Sequence, residues 1–282
     1  MGAKVREIGI MQGRLSPPEE GRFQAFPRLT WRDEFPRARD LGLSYLEWIY
    51  DEHGGEFNPL LQAAGVRELL QLQSQYQIRI DAICADWLME YPLIRCSTAD
   101  QETREARLWK LLTQAARIHA TRVVLPMVDN ASMRNNSEMT AMLRVLQRAL
   151  PFAEAAGVEI HLETDLPPRQ YARFLSSFPH PLVRVNYDTG NSSGLGFAVE
   201  EEFTAYGERI GSIHIKDRAR QADGSIASRP LGSGSADFGA FFSCLEQIGY
   251  RGGLTLQTAR AEAGQEWSWI RQQMKFVRQF WD

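Results

Sequence analysis

Four polar residues that could bind one metal ion lie at the ends of four successive apolar runs in the second half of the sequence. Glu163 ends the run GVEIHLE, Asp188 ends LVRVNYD, His214 lies near the end of IGSIHIK, and Gln257 ends GGLTLQ. A charged group next to a buried run is costly to desolvate unless it is paired or bound to a cation. Two carboxylates, one imidazole and one amide oxygen form a mostly hard ligand set. The set predicts one divalent metal, Mn²⁺ or Mg²⁺ in preference to Co²⁺ or Zn²⁺.

Each of these residues also has a purely structural explanation. A lone His214 is more often a hydrogen-bonded core histidine than a ligand. Asp188, in the stretch YDTGN, could stabilise a turn, and Glu163 could pair with Arg14. The placement of all four on adjacent strands favours the metal site over these separate explanations.

Several further residues could contact a small-molecule substrate. Arg14, in MQGRL after the first apolar run, could hold a phosphate or a carboxylate through two parallel hydrogen bonds, although a salt bridge to Glu47 or Glu163 is an equal alternative. Trp87 could stack on the apolar face of a sugar or simply pack in the core. The predicted substrate contacts are Gln12, Arg14, Glu47, Trp87, Asn191, Lys216 and Arg218.

Eight short β-rich runs, each followed by a helical pattern, must position these residues. The runs cover residues 5–12, 44–50, 78–85, 121–128, 157–163, 182–188, 210–216 and 252–257. This alternation predicts an α/β fold, a (β/α)8 TIM barrel that forms a single domain over residues 1–282, with its site at the C-terminal ends of the strands. An open doubly wound sheet is the alternative.

A glycine-rich stretch, LGSGSADFG at residues 231–239, resembles a nucleotide-binding loop only loosely. No Gly-x-Gly-x-x-Gly motif follows the first predicted strand. We interpret the stretch as a structured loop that leads into a helix at Asp237.

Composition and charge exclude several classes of function. The 282 residues carry a formal net charge of −3 without a cluster of Lys and Arg, which argues against a nucleic-acid partner. Cys84, Cys96 and Cys244 are odd in number and follow no secretory segment, so we expect reduced thiols and a cytoplasmic location. MGAKVREIGI is too charged for a signal peptide, and no apolar run of about 18 residues predicts a membrane span. Whether the chain forms a homo-oligomer stays open.

The chain resembles the xylose isomerase-like superfamily of barrels over nearly its whole length, and specifically the branch of sugar and sugar-phosphate isomerases and epimerases. The resemblance is carried by HLE at 161–163, NYDTGN at 186–191, HIKDR at 214–218 and PLGSGSADF at 230–238. In that family, Glu, Asp, His and Glu on strands five to eight bind one divalent metal. The resemblance therefore implies ligand roles for Glu163, Asp188 and His214, and a sugar or sugar phosphate as substrate.

The sequence departs from the family at the last ligand, where Gln257 replaces glutamate. In the epimerases the two glutamates take a proton from carbon and return it on the opposite face, but an amide cannot accept a proton. Some epimerases also have a histidine where this chain has Asn191. The pair predicted to be catalytic, Glu163 and Gln257, is thus reduced to a single base. Asp86 is the next candidate if Glu163 is not the base.

A one-base reaction remains consistent with this site: Glu163 moves a proton while the metal polarises a carbonyl. It suits an aldose–ketose isomerisation, or a loss of water as in inosose dehydratases, and we expect little C3 epimerisation of free ketohexoses. A non-catalytic barrel that binds a sugar or metal is a further alternative. The DNA-repair endonucleases of the superfamily use a multi-zinc cluster with several histidines, and five histidines without a basic face argue against that function.

Overall fold

The computed structural model describes residues 6–281. Residues 1–5, which include Val5 of the first predicted strand and half of MGAKVREIGI, lie outside the described residues, as does residue 282. Ten strands are described: β1 (Ile8–Met11), β2 (Tyr45–Ile49), β3 (Arg79–Cys84), β4 (Arg122–Met127), β5 (Glu159–Thr164), β6 (Val183–Asp188), β7 (Ile210–Ile215), β8 (Asp217–Arg220), β9 (Ile226–Arg229) and β10 (Leu254–Leu256).

Eight of these strands, all but β8 and β9, close into a barrel. The order around the barrel is β1, β10, β7, β6, β5, β4, β3, β2, and the pairings are parallel. β1 pairs on one side with β10, where Ile8 lies opposite Leu254, and on the other with β2. The sheet therefore has no open edge, which confirms the predicted (β/α)8 barrel and excludes the doubly wound sheet.

Helices connect the barrel strands. Those described are α1 (Glu34–Leu41), α2 (Ala63–Tyr76), α3 (Trp87–Glu90), α4 (Thr98–Arg117), α5 (Asn136–Ala156), α6 (Pro168–Ser176), α7 (Thr189–Leu195), α8 (Val199–Tyr206), α9 (Phe238–Gln247) and α10 (Glu266–Trp281), with short 3-10 turns between some of them. Their ends follow ordinary capping chemistry. The Asn135 side chain accepts the Glu138 N–H at the start of α5, and Gly157 ends that helix with a φ of 63°.

The inward-facing positions of β5, β6 and β7 form two polar layers inside the barrel. Alternate residues of a strand point to the same side. The register places Asp188 of β6 opposite His214 of β7, after an irregularity between Val185 and Asn186. His161, Asn186 and Ser212 are joined by hydrogen bonds through the Ser212 hydroxyl and form what we call the lower layer. Glu163, Asp188 and His214, toward the C-terminal ends of the strands, form the upper layer, so the strands bring three of the four predicted ligands together.

An antiparallel hairpin of β8 and β9, which the sequence pattern does not predict, follows β7. Asp217 pairs with Arg229 and Arg220 with Ile226. The two segments are short, mostly polar and largely half-buried, so they lack the apolar runs that mark the barrel strands. The hairpin positions Arg218 at the barrel mouth.

The glycine-rich stretch is a structured loop, as predicted. The Asp217 carboxylate accepts the backbone N–H groups of Gly232, Gly234 and Ala236 at 3.0, 2.8 and 3.1 Å. A Cβ at Gly234 would lie 2.1 Å from Asp217 Oδ1, so the close approach requires glycine. Because Asp217 occupies the donors that a phosphate would need, the loop does not resemble a nucleotide site in its bonding. Asp237 then begins α9 by accepting the Ala240 N–H.

No helix within residues 6–281 is long and apolar enough to cross a membrane.

Candidate active site and metal centre

Glu163, Asp188 and His214 converge at the C-terminal end of the barrel. Each is buried and offers one ligand atom, and these atoms all lie within 4.8 Å of one another. His214 Nδ1 lies 3.1 Å from Glu163 Oε2. The three side chains could therefore share one small cation.

Asp188 provides an oxygen that lacks a hydrogen-bond donor. Its Oδ1 accepts the backbone N–H groups of Gly190 and Asn191, both at 2.8 Å, where α7 begins. Its Oδ2 is buried and accepts no hydrogen bond from the described residues, and Lys216 Nζ lies 3.7 Å away. Burial raises the pKa of Asp188, against the opposing charge of Lys216. A buried acceptor without a hydrogen bond is unfavourable, so a cation bound directly to Oδ2 would stabilise the site.

His214 is oriented by a buried carboxylate, that of Glu47 on the non-adjacent strand β2. Its Nε2 lies 2.7 Å from Glu47 Oε1, and Glu47 Oε2 accepts the Thr255 hydroxyl at 3.2 Å. Burial disfavours a charge on His214, but the carboxylates of Glu47 and Glu163 outweigh it and raise the His214 pKa well above its ordinary value. Without a metal, both ring nitrogens therefore carry a proton, and a metal at Nδ1 would displace the proton that faces Glu163 while Nε2–H stays on Glu47. A carboxylate that accepts the second N–H of a histidine is typical of metal ligands.

The lower polar layer fixes the direction of the Glu163 carboxylate. Asn186 Nδ2 donates to Glu163 Oε2 at 2.8 Å, and Asn186 Oδ1 accepts the Ser212 hydroxyl at 2.6 Å. From above, Asn191 Nδ2 donates to Glu163 Oε1 at 2.6 Å. Burial raises the pKa of Glu163, but His214, Lys216 and the Asn186 hydrogen bond together lower it below its ordinary value. Glu163 is thus held as a carboxylate in one orientation.

Gln257 lies beside the cluster, directly after β10. Its Oε1 accepts a hydrogen bond from Lys216 Nζ at 3.1 Å, and its Nε2 donates to Gln24 Oε1 at 3.1 Å. Lys216 therefore connects Gln257 to Asp188. Neither the ligand role nor the catalytic role of Gln257 is tested by this geometry, and both stay predictions.

A cavity of about 440 Å³ lies over the cluster at the barrel mouth. Glu163 lines its floor and Phe23 and Leu195, 44% and 41% exposed, lie at its rim. Its polar lining includes Arg22, Gln24, Asp86, Asn191, Lys216, Arg218 and Gln257. A second cavity of about 450 Å³, which α9 and α10 help to line, contains none of the predicted site residues. The cavity over the cluster is therefore the candidate active site.

Residues 35–280 match a family model described as the xylose isomerase-like TIM barrel. The chain belongs to this family. A putative L-ribulose-5-phosphate 3-epimerase SgbU from Haemophilus influenzae is 24% identical to it over 276 residues, which cover 89% of this chain and 94% of that protein.

Two solved structures share the fold. The IOLI protein with a bound zinc atom has a TM-score of 0.78 and 16% identity, with 98% of this chain and 99% of that chain covered. The D-psicose 3-epimerase of Clostridium cellulolyticum H10, solved with D-tagatose, has a TM-score of 0.76 and 15% identity, with the same coverage. The predicted family is confirmed.

Three of the predicted substrate contacts of this xylose isomerase-like barrel line the cavity. They are Asn191, Lys216 and Arg218. Arg218 Nη1 donates to Asn191 Oδ1 at 3.0 Å, and Asn191 in turn donates to Glu163. The three cavity-lining residues are available to a ligand, and their substrate contact stays a prediction.

Gln12 and Arg14 are directed toward protein groups instead. Gln12 is fully buried and its Oε1 accepts the Ile49 N–H at 3.0 Å, whereas its Nε2 has no hydrogen-bond partner among the described residues. Arg14 donates to the carbonyls of Thr258 and Phe23 and to Gln24 Oε1. Arg14 thus holds the loop that follows β1, and forms neither the predicted alternative salt bridge to Glu47 nor the one to Glu163.

The geometry does not support substrate contact for Glu47 or Trp87. Glu47 is fully buried beneath His214, and Trp87 is 1% exposed with the Arg107 guanidinium 4.5 Å from the centre of its ring. Neither side chain lines the cavity. A residue near a strand end can point into the barrel interior or into the surrounding core as well as into the mouth, and substrate contact by Glu47 and Trp87 stays a prediction.

Two residues of the site escaped the sequence reasoning. Asn186 belongs to a predicted strand and to the NYDTGN motif but was given no role of its own, although its position two residues before Asp188 implies the same inward face. Gln24 lies in the long loop after β1, and it donates to Asp86 and accepts from Arg14 and Gln257. These partners are far away in sequence, so no local pattern identifies Gln24.

Proposed function

We propose that this chain is a metal-dependent carbohydrate epimerase or isomerase that moves a proton on the carbon next to a carbonyl group of a ketose or ketose phosphate. The observation that carries the proposal is the buried cluster of Glu163, Asp188 and His214, of which Glu163 lines the cavity, with Asp188 Oδ2 accepting no hydrogen bond from the described residues. The predicted enzyme class is supported by the similarity to a putative sugar-phosphate epimerase over most of both chains.

The donor set of this cluster fits a divalent cation. Glu163, Asp188 and His214 would hold it, with Gln257 as the predicted fourth ligand. Carboxylate oxygens and one imidazole favour Mn²⁺ or Mg²⁺, and zinc is bound in the similarly folded IOLI protein. When bound, the cation supplies Lewis-acid polarisation of the substrate carbonyl.

Glu163 is the proposed base. Asn186 and Asn191 hold one oxygen each at 2.8 and 2.6 Å, which fixes the carboxylate at the floor of the cavity. Glu163 removes the proton from the carbon next to the carbonyl, and the substrate becomes an enediolate. Return of the proton to the neighbouring carbon gives an isomer, and return to the same carbon on the other face gives an epimer.

Lys216 and Arg218 are the proposed anchors of the substrate. Lys216 Nζ is bound to Gln257 Oε1, and Arg218 to Asn191, so both charges border the place where Glu163 acts. A cation at either position can hold hydroxyl, carboxylate or phosphate oxygens. A phosphorylated substrate should therefore have a lower KM than the free sugar.

The proposal is tested by incubating the protein with L-ribulose 5-phosphate or D-psicose and Mn²⁺ in D₂O. We expect NMR to show that deuterium is incorporated at the carbon next to the carbonyl, and that this incorporation stops when a chelator removes the metal. Loss of water from the substrate would indicate the dehydratase alternative. Saturable binding without any exchange would indicate a sugar-binding barrel and would refute the proposal.

A further inference from the structure

Asp86 is a second buried carboxyl group at the active-site cavity. It follows β3, is 6% exposed and lines the same cavity as Glu163. Among the described residues, the other cavity-lining carboxyl groups are those of Asp129, which is exposed, and Asp165, which is half-buried and accepts the Ser132 hydroxyl. Asp86 thus combines burial with access to the cavity.

The hydrogen bonds of Asp86 leave it free to act on a ligand. Oδ1 accepts the Cys84 thiol at 2.9 Å and Oδ2 accepts Gln24 Nε2 at 2.7 Å. A carboxylate has about four acceptor positions, so each oxygen keeps one. Burial raises the pKa of Asp86 to about 6, and both the acid and the carboxylate are therefore accessible near neutral pH.

Gln24 links Asp86 to the amide that replaces the expected glutamate. Gln257 Nε2 donates to Gln24 Oε1 at 3.1 Å, while Gln24 Nε2 donates to Asp86. Asp86 is therefore one bridging side chain away from Gln257. In the barrel order, β4 separates β3 from β5, so Asp86 and Glu163 reach the cavity from different directions.

We propose that Asp86 is the second proton-transferring residue of an epimerisation, and that it delivers to the substrate the proton that Gln257 cannot carry. The inference rests on the proposed function. It replaces the expectation of a one-base reaction, and it removes the conflict between an amide at position 257 and a relative named as an epimerase.

The proton transfer balances without any further reactant. The Glu163 carboxylate takes the proton from the carbon next to the carbonyl, and the electron pair of the C–H bond forms the enediolate. The Asp86 carboxylic acid then donates its proton to the same carbon on the other face, and the carbonyl re-forms. Glu163 is left as the acid and Asp86 as the carboxylate, and exchange with solvent restores both.

The decisive variant is Asp86→Asn, assayed with Mn²⁺ and L-ribulose 5-phosphate or D-psicose in D₂O. The variant should still exchange the C–H proton within about threefold of wild type, because Glu163 is intact. Formation of the inverted product should fall about 10²-fold, as expected for the loss of a positioned acid. Asp40→Asn, which changes an exposed carboxyl group that does not line the cavity, is the matched control and should change neither rate.

A second variant separates the proposed role from a folding defect. Adding Gln257→Glu to Asp86→Asn should raise inversion at least about tenfold, because it restores a second carboxyl group. Mn²⁺ affinity by calorimetry that is no weaker than in the wild type verifies that both variants keep the cluster, and the added carboxylate of Gln257→Glu should tighten it.

Three results would overturn the inference. The first is inversion by Asp86→Asn at the wild-type rate. The second is the loss of both proton exchange and inversion in Asp86→Asn, and the third is proton exchange without inversion in the wild type. Absence of exchange in the wild type would refute the proposed function itself.

Discussion

The two halves of the barrel mouth carry similar polar residues but use them differently. In the half formed by β5, β6, β7 and β10, which we call the ligand half, Glu163, Asp188 and His214 direct ligand atoms toward one another. In the half formed by β1 to β4 and the loops and helices that follow them, which we call the supporting half, Arg14 and Glu47 direct their polar atoms to protein partners. The difference teaches that a polar residue at a strand end indicates chemistry only when some of its bonding capacity is unused.

The largest expected effect tests the base in the ligand half. Glu163→Gln keeps a side-chain oxygen that can bind a metal and accept hydrogen bonds, but the amide cannot accept a proton. Turnover should fall about 10² to 10⁴-fold, measured as deuterium exchange into the substrate. Mn²⁺ affinity within about tenfold of wild type is the control. A variant with near-normal turnover would assign the base to another residue.

The second prediction concerns stability in the supporting half. Glu34 is fully buried and accepts the Gly13 N–H at 2.9 Å, and burial raises its pKa to about 7. Because the folded-state pKa lies above the unfolded value of about 4.3, ionisation disfavours the fold. Glu34 therefore contributes most to the free energy of unfolding below about pH 4. This contribution falls by about 3 kcal/mol as the pH rises to 7.

Denaturant unfolding of wild type and Glu34→Gln at several pH values measures this contribution. The difference between their free energies of unfolding should shift by about 2–3 kcal/mol in favour of the variant between pH 4.5 and 7.5. A difference that does not vary with pH would mean that Glu34 stays ionised throughout.

The third prediction tests whether a residue of the supporting half acts through the ligand half. Glu47→Gln can still accept the His214 Nε2–H but no longer provides a charge. Mn²⁺ affinity should fall about tenfold, as for other partners of metal-binding histidines. His214→Ala is the reference, because it removes the ligand itself and should weaken binding by at least that much. An unchanged Mn²⁺ affinity with a raised KM would instead restore Glu47 as a substrate contact.

The ligand half of the site was predictable from sequence because it depends on strand ends. Apolar runs locate β5, β6 and β7 well, and the parallel barrel brings Glu163, Asp188 and His214 together at the C-terminal end of these strands. The rest of the site depends on side-chain direction and on loops. Gln24 joins Asp86 and Gln257, which are 62 and 233 residues away in sequence. The β8–β9 hairpin, which carries Arg218, has no apolar pattern that marks it.

The smallest expected effect concerns Trp87, which was predicted to contact the sugar. The ring is 1% exposed, and the Arg107 guanidinium lies 4.5 Å from its centre. The indole N–H has no partner among the described residues, so Trp87→Phe loses no hydrogen bond there. The smaller ring should lower the free energy of unfolding by only about 1–2 kcal/mol, through lost packing and a weaker contact with Arg107. KM should stay within twofold, because the ring does not line the cavity. A several-fold rise in KM without a loss of stability would mean that Trp87 turns toward the substrate, and the two halves of the mouth would then differ less than the contacts indicate.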